Sequence, residues 1–362
     1  MPKITMPRAG AEGCMAMWNS RYLRIDVDRN SKFTYYLQNV LAYPLPGVLF
    51  RPRRDALLEK GKTDREVQER LHYYNRCDAA FRLGSEAQSL DAFRKVKKKT
   101  YFFDLYGWWR YFRPECRSAY LFGDITHVPP QPTLVKSRPI AGDNRNSVLM
   151  NLNKVRHFVF VNDALPFEAK KNMAVWRGKA YGKHRRAFVK RFYNHPRCDI
   201  GQTNTKFETE VPWQKGRMTL KEQLRYKFVI SIEGNDVASN LKWIMSSNSL
   251  ALMARPKYET WFMEGTLIPD YHYVLLKDDY SDLEEKIAYY SAHPEEAKAI
   301  IANAHRHVAR FRDAEREAVV SLSVMEKYFE RSGQLEAGTP HPRRRSRPAW
   351  RLKRPRLAAL GI

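Results

Sequence analysis

Asp124 and His127 follow a short apolar run at residues 119–122, and both side chains could take part in proton transfer. A run of this length predicts a buried strand, and open α/β sheets bind ligands beyond the carboxyl ends of their strands. A carboxylate at that place can act as a general base that removes a proton from an attacking hydroxyl. An aspartate that forms a turn or caps a helix fits the same residues, so both interpretations stay open.

Arg177 and Gly178 follow a second apolar run, at 174–176, and begin a strongly basic stretch. The other basic residues of this stretch are Lys179, Lys183, His184, Arg185 and Arg186. A glycine after a strand lets a ligand approach the backbone, and an arginine can hold a pyrophosphate through two parallel hydrogen bonds. The stretch matches neither Gly-x-Gly-x-x-Gly nor a Walker loop, so a solvated basic helix face remains the alternative.

A third polar cluster comes after the apolar run at 228–232. Its members are Glu233, Gly234, Asn235, Asp236, Asn240 and Lys242. So many polar groups between an apolar strand and an apolar helix stripe are costly to bury unless they meet a ligand or one another. We therefore interpret the cluster as a binding site, and keep helix capping as the alternative for Asp236.

The elements that must position these residues alternate along the chain. Short apolar runs that predict strands lie at 119–122, 158–161, 174–176, 228–232, 250–253 and 273–276. Residues 237, 241, 244 and 245 share one helix face, and a second apolar stripe runs from 297 to 308. Ser281 and Glu284 have the spacing of a capping box before a further helix. This alternation predicts an α/β fold with a mostly parallel sheet.

The chain of 362 residues carries a formal charge of +25, and 43% of its residues are hydrophobic, which allows a sizeable core in two domains. Such a charge predicts anionic partners: nucleic acid, nucleotide phosphates, or an anionic membrane or glycolipid surface. Part of it lies near the C-terminus, in Arg343, Arg344, Arg345, Arg347, Arg351, Lys353, Arg354 and Arg356. A solvated, disordered tail and electrostatic attachment to a membrane both fit this composition.

The four cysteines, Cys14, Cys77, Cys116 and Cys198, are widely spaced. This spacing argues against a zinc site or a disulfide framework and fits a reducing cytoplasm. The first residues lack the apolar segment of a signal peptide. Residues 33–50 are uncharged but contain two prolines, so we interpret them as core strand and turn, not as a membrane span. These features predict a cytoplasmic protein that is soluble or peripheral on the inner membrane.

Several linked motifs resemble glycosyltransferase family 90, which includes bacterial lipopolysaccharide-core transferases, a fungal capsule-associated protein and eukaryotic protein O-glucosyltransferases. The resemblance covers roughly residues 101–311 and is closest to the bacterial branch. The motifs are FGDITHVP, PTLVKSRPI, LNKVRHF, VWRGKAYGKHRR, CDIGQTN, YKFVISIEGNDVASNLKWIMSSNS, PKYETWF and YHYVLLKDDYSDLEEKI. Their number and order are far more specific than any one of them.

The resemblance implies a GT-B architecture, in which two Rossmann-like domains face each other across a cleft. We place an acceptor-side domain at 1–168 and a nucleotide-sugar-binding domain at 169–315. Residues 316–335 would form a helix that packs back on the first domain, before a basic tail at 336–362. The resemblance also implies an inverting, metal-independent transfer, without a cofactor, from a UDP-sugar to a glycan or lipopolysaccharide acceptor.

By the same resemblance, Asp124 is the catalytic base that deprotonates the acceptor hydroxyl, and His127 is a candidate on the acceptor side. The donor-binding candidates are Arg177, Gly178, Arg185, Glu233, Gly234, Asn235, Asn240, Lys242, Ser249 and Glu259. Three of them, Arg177, Arg185 and Lys242, would stabilise the leaving UDP together with backbone N–H groups, in place of a metal. Glu259 would accept hydrogen bonds from the ribose hydroxyls.

Glu233 and Asn240 depart from many eukaryotic members of the family, which carry arginine at these positions, so the donor sugar stays open. Asp26 and Asp28 have the spacing of an Asp-x-Asp donor motif, but they lie in an irregular region and we interpret them as a surface pair. Two other functions remain as alternatives. One is a basic nucleic-acid-binding protein, although no RNA-recognition or OB-fold motif is apparent and we expect no specific nucleic-acid partner. The other is a non-catalytic glycan-binding relative.

Overall fold

The structure is a computed structural model that describes residues 26–28, 32–94, 98–204 and 211–336, with the backbone alone for 26–28. Three of the sequence predictions concern residues outside this part of the chain. They are the surface pair formed by the Asp26 and Asp28 side chains, the state of Cys14, and the basic tail.

The described residues form a mixed α/β structure with short strands and helices of four to eighteen residues. The helices are α1 Lys32–Ala42, α2 Arg51–Thr63, α3 Arg65–Tyr74, α4 Lys99–Trp109, α5 Lys154–His157, α6 Lys183–Phe192, α7 Leu220–Gln223, α8 Leu241–Met245, α9 Leu283–Ala292, α10 Pro294–Ala309 and α11 Ala314–Arg331. The strands are β1 Asp26–Asp28, β2 Gln88–Ser89, β3 Arg117–Ser118, β4 Tyr120–Leu121, β5 Thr133–Val135, β6 Ser137–Pro139, β7 Ser147–Leu149, β8 Phe160–Asn162, β9 Lys171–Gly178, β10 Cys198–Gln202, β11 Tyr226–Ile230, β12 Leu250–Ala254, β13 Tyr258–Thr260 and β14 Val274–Leu276.

A five-stranded parallel sheet lies in the C-terminal half of the chain, in the order β10-β9-β11-β12-β14. β10 therefore lies at the edge of the sheet next to β9, and β11, β12 and β14 follow on the other side of β9. This is the strand order of a doubly wound sheet. The direction in which successive strands are added to the sheet reverses between β9 and β11. Ligands of such sheets bind beyond the carboxyl ends of the strands at that reversal.

The two faces of this sheet belong to different hydrophobic cores, because successive strand residues point to opposite sides. Ala174 and Trp176 face a core that also contains residues of α6, α9 and the first half of α10. Val175 faces the other core, which contains residues of α8, the second half of α10 and the helices of the N-terminal half. The sheet is thus buried on both faces, as its nearly continuous apolar runs require.

The N-terminal half has a smaller parallel sheet, in the order β4-β5-β7, surrounded by α1 to α4. One further strand pair connects the two halves of the chain: β13 runs antiparallel to β6, with Glu259 opposite Arg138. The last helix, α11, packs against α2 and α3, where Glu317 lies 2.5 Å from Arg70. The parallel sheets and the mixed α/β class confirm the fold class expected from the strand–helix alternation.

The structure corrects three local predictions. Residues 33–50 are not a core strand: they form α1 and a following 3₁₀ turn, because their apolar residues recur at helical spacing. Ser281 and Glu284 form no capping box, because α9 begins at Leu283 after Asp282 and no side chain caps it. The helix after β11 begins only at Leu241, so Asp236 is not its N-cap.

Two further expectations concern the state of the cysteines and the presence of a membrane span. Cys77, Cys116 and Cys198 are buried free thiols. Among the helices of the described residues, none has the length and apolar character needed to cross a bilayer.

Candidate active site

A cavity of about 260 Å³ lies beyond the carboxyl ends of β11, β12 and β14. Its walls are the loop after β11, the segment after β12 and the side chain of His184 from the start of α6. Glu233, Gly234 and Asn235 are among the lining residues, as the third polar cluster of the sequence predicts. The cavity therefore lies at the edge of the sheet where doubly wound folds bind ligands.

Arg185 fixes the loop after β11 through backbone carbonyl groups. Its guanidinium donates to the carbonyl oxygen of Glu233 at 2.8 Å, of Ile232 at 2.6 Å and of Lys179 at 3.1 Å. Burial among these groups lowers its pKa. A Cβ on Gly234 would lie only 3.3 Å from this guanidinium, so a larger residue there would crowd the loop. Arg185 thus joins the ends of β9 and β11 and shapes the cavity, with three of its five N–H donors in use.

Glu233 and Asn240 also hold the cavity wall. A carboxylate oxygen of Glu233 accepts hydrogen bonds from the backbone N–H of Lys257 at 2.9 Å and of Tyr258 at 3.3 Å. Burial raises the pKa of this carboxyl group. The Asn240 amide donates to the carbonyl of Ile230 at 3.0 Å and accepts from the hydroxyl of Ser231. Both residues therefore fix the backbone around the cavity.

Asp124 lies at the rim of this site, in the loop after β4. Its carboxylate accepts a hydrogen bond from Lys136 at 2.7 Å and one from the Asn235 amide at 3.2 Å. The Lys136 ammonium also lies 2.7 Å from the buried carboxylate of Asp236. Burial opposes the charge of Asp124, but the hydrogen bonds and the positive charge of Lys136 prevail and lower its pKa. The carboxylate is therefore ionised and 30% exposed, as a general base requires.

Two exposed arginines add positive charge around the site. The charge of Arg156, in α5, lowers the pKa of both Asp124 and Arg185, which places it within electrostatic reach of both. Arg255, directly after β12, lines the cavity. Within the described residues, neither guanidinium makes a hydrogen bond or an ion pair. Both could meet an anionic ligand, a role that the sequence analysis assigned to neither residue.

Comparison with known proteins identifies the family. Residues 148–331 match the family described as Glycosyl transferase family 90. The chain is 46% identical over 263 residues to a protein named O-glucosyltransferase LpsA from Dichelobacter nodosus, covering 73% of this chain and 82% of that protein. The chain belongs to glycosyltransferase family 90.

Eukaryotic proteins are similar over a shorter range. The chain is 29% identical over 167 residues to the human protein named Protein O-glucosyltransferase 3, covering 45% of this chain and 32% of that protein. It is 30% identical over 139 residues to the Danio rerio protein named Protein O-glucosyltransferase 2, covering 37% and 28%. The chain thus spans about a third of the length of these family 90 members.

Arg177, which the family 90 resemblance assigns to the donor phosphates, is held by another partner in this structure. Its guanidinium donates to the carboxylate of Asp199 at 2.6 Å, and that carboxylate also binds Lys215 and Tyr226. Trp176, one residue earlier, faces the core on the α6 side, so Arg177 points to the opposite face of the sheet. Gly178 ends β9 and lies close to the Trp176 ring.

Three other predicted donor residues have their polar atoms engaged by protein groups, and none of the three lines the cavity. Lys242 is fully buried and forms an ion pair with Glu264. The Ser249 hydroxyl donates to the carbonyl of Tyr226 at 2.8 Å, at the start of β12 and hence at the opposite end of the sheet from the cavity. Glu259 accepts from Arg138 at 2.7 Å and from Tyr73. The structure does not bring these three side chains to the cavity.

His127 lies exposed three residues after Asp124, in the same loop. The structure thus brings Asp124, Asn235, Gly234 and Glu233 together, and adds His184, Arg156 and Arg255 to them. A sequence signal existed for Arg255, which follows an apolar run as the three predicted clusters do. Lys136 lies in the PTLVKSRPI motif, but the motif does not indicate its role, which depends on the fold bringing Asp124 and Asp236 to its ammonium.

Proposed function

We propose that this family 90 protein is an inverting glycosyltransferase that moves a sugar from a UDP-sugar to a hydroxyl group of a glycan or glycolipid. The sugar is of the glucose, galactose or xylose class, and the names of the relatives, O-glucosyltransferases, favour glucose. The acceptor is a lipopolysaccharide core, whose anionic groups suit a chain of charge +25. The observation that carries the proposal is the ionised carboxylate of Asp124, hydrogen-bonded to Asn235 of the cavity loop.

The proposed architecture is GT-B, with Asp124 contributed by the acceptor-side domain and the cavity by the donor domain. Asp124 takes the proton of the acceptor hydroxyl as its oxygen attacks the anomeric carbon. The bond from that carbon to UDP breaks on the opposite face, so the configuration inverts. Lys136 keeps Asp124 ionised before the attack.

The negative charge that develops on the leaving UDP needs positive groups at the cavity. Arg255 lines it, and Arg156 stands within electrostatic reach of Asp124 and Arg185. Preorganised cations at a closed site stabilise such a charge strongly, and we propose that they do so here without a divalent metal. Arg185 contributes by holding the loop that carries Gly234 and Asn235.

Calorimetric titration with UDP in the presence of a chelator tests the donor proposal, with ADP, GDP and CMP as controls. We expect binding that is selective for UDP and unchanged by added divalent metal. Binding that requires a metal, or the absence of UDP binding, would contradict a metal-independent UDP-sugar transferase.

The Asp124→Asn variant tests the proposed base, because asparagine keeps the shape and one accepting oxygen but cannot take the proton. We expect the turnover number to fall about 10²- to 10⁴-fold, while the affinity for UDP stays unchanged. Asp143→Asn is the matched control, since Asp143 pairs with Arg145 on the surface. Turnover that is equal in the Asp124→Asn and Asp143→Asn variants would reject Asp124 as the base and favour a non-catalytic relative.

A further inference from the structure

Helix α1 presents one apolar face to the protein and a second apolar face to solvent. On the inner face, Tyr35 is buried, and its hydroxyl donates to Asp104 at 2.8 Å. On the outer face, Phe33 is 76% exposed and Leu41 is 65% exposed. Residues 33, 37, 40 and 41 fall on one side of an α-helix, so these exposed side chains form a continuous stripe.

The stripe continues into the turn after α1. Leu45, Val48 and Leu49 are exposed there, with Leu49 at 63%. Arg110 fastens this turn to the protein, because its guanidinium donates to the carbonyl of Ala42 at 2.7 Å and to that of Leu45. We call the exposed set the apolar ridge; its members are Phe33, Leu37, Val40, Leu41, Leu45, Val48 and Leu49. Apolar side chains grouped in this way on a protein surface mark an interaction site.

The ridge has basic surroundings. Residues 32–54 include four basic and no acidic residues. A cavity of about 450 Å³ adjoins the ridge at residues 43–47, and the side chains of Arg51, Arg94 and Arg110 line it together with Asp91. This cavity and the candidate active site share no lining residue.

Within the described residues, the arginines of this cavity form no salt bridge, although Asp91 lines the same cavity. Arg110 is only 4% exposed, and within the described residues its Nε atom and that of Arg51 are buried without a hydrogen-bond partner. Arg110 rests on the rings of Phe50 and Tyr106, and the groups that act on its charge include no carboxylate. A buried guanidinium without a counter-ion is costly, and an anion in the cavity would offset that cost.

We propose that the apolar ridge and the arginine-lined cavity together dock the protein on an anionic phospholipid bilayer. Ridge side chains would enter the boundary between headgroups and acyl chains, as in interfacial amphipathic helices. A lipid phosphate would occupy the cavity beside Arg51, Arg94 and Arg110. The combination of apolar and basic groups selects this partner, since a neutral apolar surface would leave the arginines without a counter-ion. The proposal does not depend on the donor or the acceptor proposed above.

Co-sedimentation of the full chain with vesicles tests the docking surface. The vesicles consist of phosphatidylcholine alone or of phosphatidylcholine with phosphatidylglycerol. We expect binding to the anionic vesicles, weakened by high salt because the charge interactions are screened. In the double variant Leu41→Glu, Leu49→Glu, partitioning should fall about 100-fold or more, since two apolar contacts are lost. Arg94→Glu should lower it by more than the roughly fivefold effect of one basic residue.

Three controls make the result decisive. Ile268→Glu changes a residue that is 54% exposed elsewhere on the surface and should leave vesicle binding unchanged. Circular dichroism and urea denaturation report whether each variant is folded. A full-chain variant with Arg343, Arg344, Arg345 and Arg347 replaced by glutamine measures the contribution of the tail.

Two results would overturn the proposal. The first is that the tail variant loses vesicle binding while the Leu41→Glu, Leu49→Glu variant retains it. This result would assign membrane attachment to the tail. The second is that the unaltered full chain binds neither kind of vesicle but forms a dimer, while the Leu41→Glu, Leu49→Glu variant is a monomer. In that case the ridge would be an interface between two copies of the chain.

Discussion

At the scale of single residues, the main feature is one lysine between two aspartates. Lys136 is 2% exposed, and its ammonium lies 2.7 Å from Asp124 and 2.7 Å from Asp236. Burial alone would favour the neutral lysine, but the two carboxylates prevail and raise its pKa. Asp236 thereby keeps Lys136 charged, and Lys136 keeps Asp124 ionised and oriented. Asp124 is the proposed base, whereas Lys136 and Asp236 are positioning residues.

This arrangement predicts how the pH profile of the transferase responds to substitution. A base must be ionised, so activity is lost as the pH falls through the pKa of Asp124. In Lys136→Met the hydrogen bond and the positive charge are gone, the pKa of Asp124 rises, and the acid limb of kcat/KM should move to higher pH. In Asp236→Asn the Lys136 ammonium interacts with Asp124 alone. The acid limb of kcat/KM should therefore stay at the same pH or move to lower pH.

Steady-state kinetics across the acid range measure the acid limb of each variant, with circular dichroism to confirm folding. A purely structural role of Lys136 would lower the plateau of the profile without moving its limb. The same direction of movement in both variants would contradict the proposed roles.

At the scale of elements, the short pairing of β13 with β6 secures the cavity segment after β12. Glu259 and Arg138 lie opposite each other in this pair, 1% and 0% exposed, with the carboxylate 2.7 Å from the guanidinium. Tyr73 of α3 donates to the same carboxylate. A buried pair of this kind joins three elements, and removal of one partner leaves an uncompensated buried charge.

We therefore expect Glu259→Ala to act on stability, not on donor affinity. The free energy of unfolding should fall by about 3–5 kcal/mol, because Arg138 would remain buried without its partner. Urea denaturation measures this change, and calorimetry on the folded variant should give an unchanged UDP affinity. Glu59→Ala is the control: its ion pair with Lys62 is on the surface, and its loss should have no measurable effect on stability. Weaker UDP binding at unchanged stability would instead support the ribose contact implied by the family resemblance.

At the scale of the whole molecule, the last helices return the chain from the parallel sheet to the N-terminal half. α10 contributes to both cores, and α11 packs against α2 and α3, where Glu317 pairs with Arg70. His307 lies in the second half of α10, and its ring nitrogen is 2.9 Å from the carbonyl oxygen of Phe262. Burial lowers the pKa of His307 to about 4 and holds that of His157 well below its ordinary value.

Because both histidines are buried in the neutral form, we expect acid to destabilise the fold. The unfolded chain binds protons below the ordinary histidine pKa of 6.5, whereas folded His307 binds one only near pH 4. The stabilisation is thus complete above pH 6.5 and is lost as the pH falls to about 4. For His307 it amounts to about 3 kcal/mol.

Chemical denaturation at several pH values tests this expectation, with His307→Gln as the comparison, because glutamine can donate to the Phe262 carbonyl but does not titrate. The variant should lose less stability between pH 6.5 and pH 4 than the unaltered protein. Equal losses in the two proteins would show that other groups, such as carboxylates, account for the acid sensitivity.

Local patterns in the amino-acid sequence are sufficient to predict four of the five strands of the large sheet, the edge where the candidate site lies and the family, whereas they do not predict β10. Each of the six predicted apolar runs overlaps a strand, because a buried strand requires local apolar side chains. The Glu233-Gly234-Asn235 cluster lines the cavity, because the carboxyl ends of parallel strands share one edge. The linked motifs identify family 90 by their residues and order alone, and the family match at 148–331 confirms this assignment.

The folded molecule, in contrast, determines which polar side chains face the cavity and which are neutralised elsewhere. Lys242 meets Glu264, Arg177 meets Asp199 and Glu259 meets Arg138, across 22, 22 and 121 residues of chain. Such partners come together through folding of distant segments, and local spacing carries no information about them. The same reason explains why local patterns do not indicate the role of Lys136, and why exposure of the second apolar face of α1 is visible only in the folded protein.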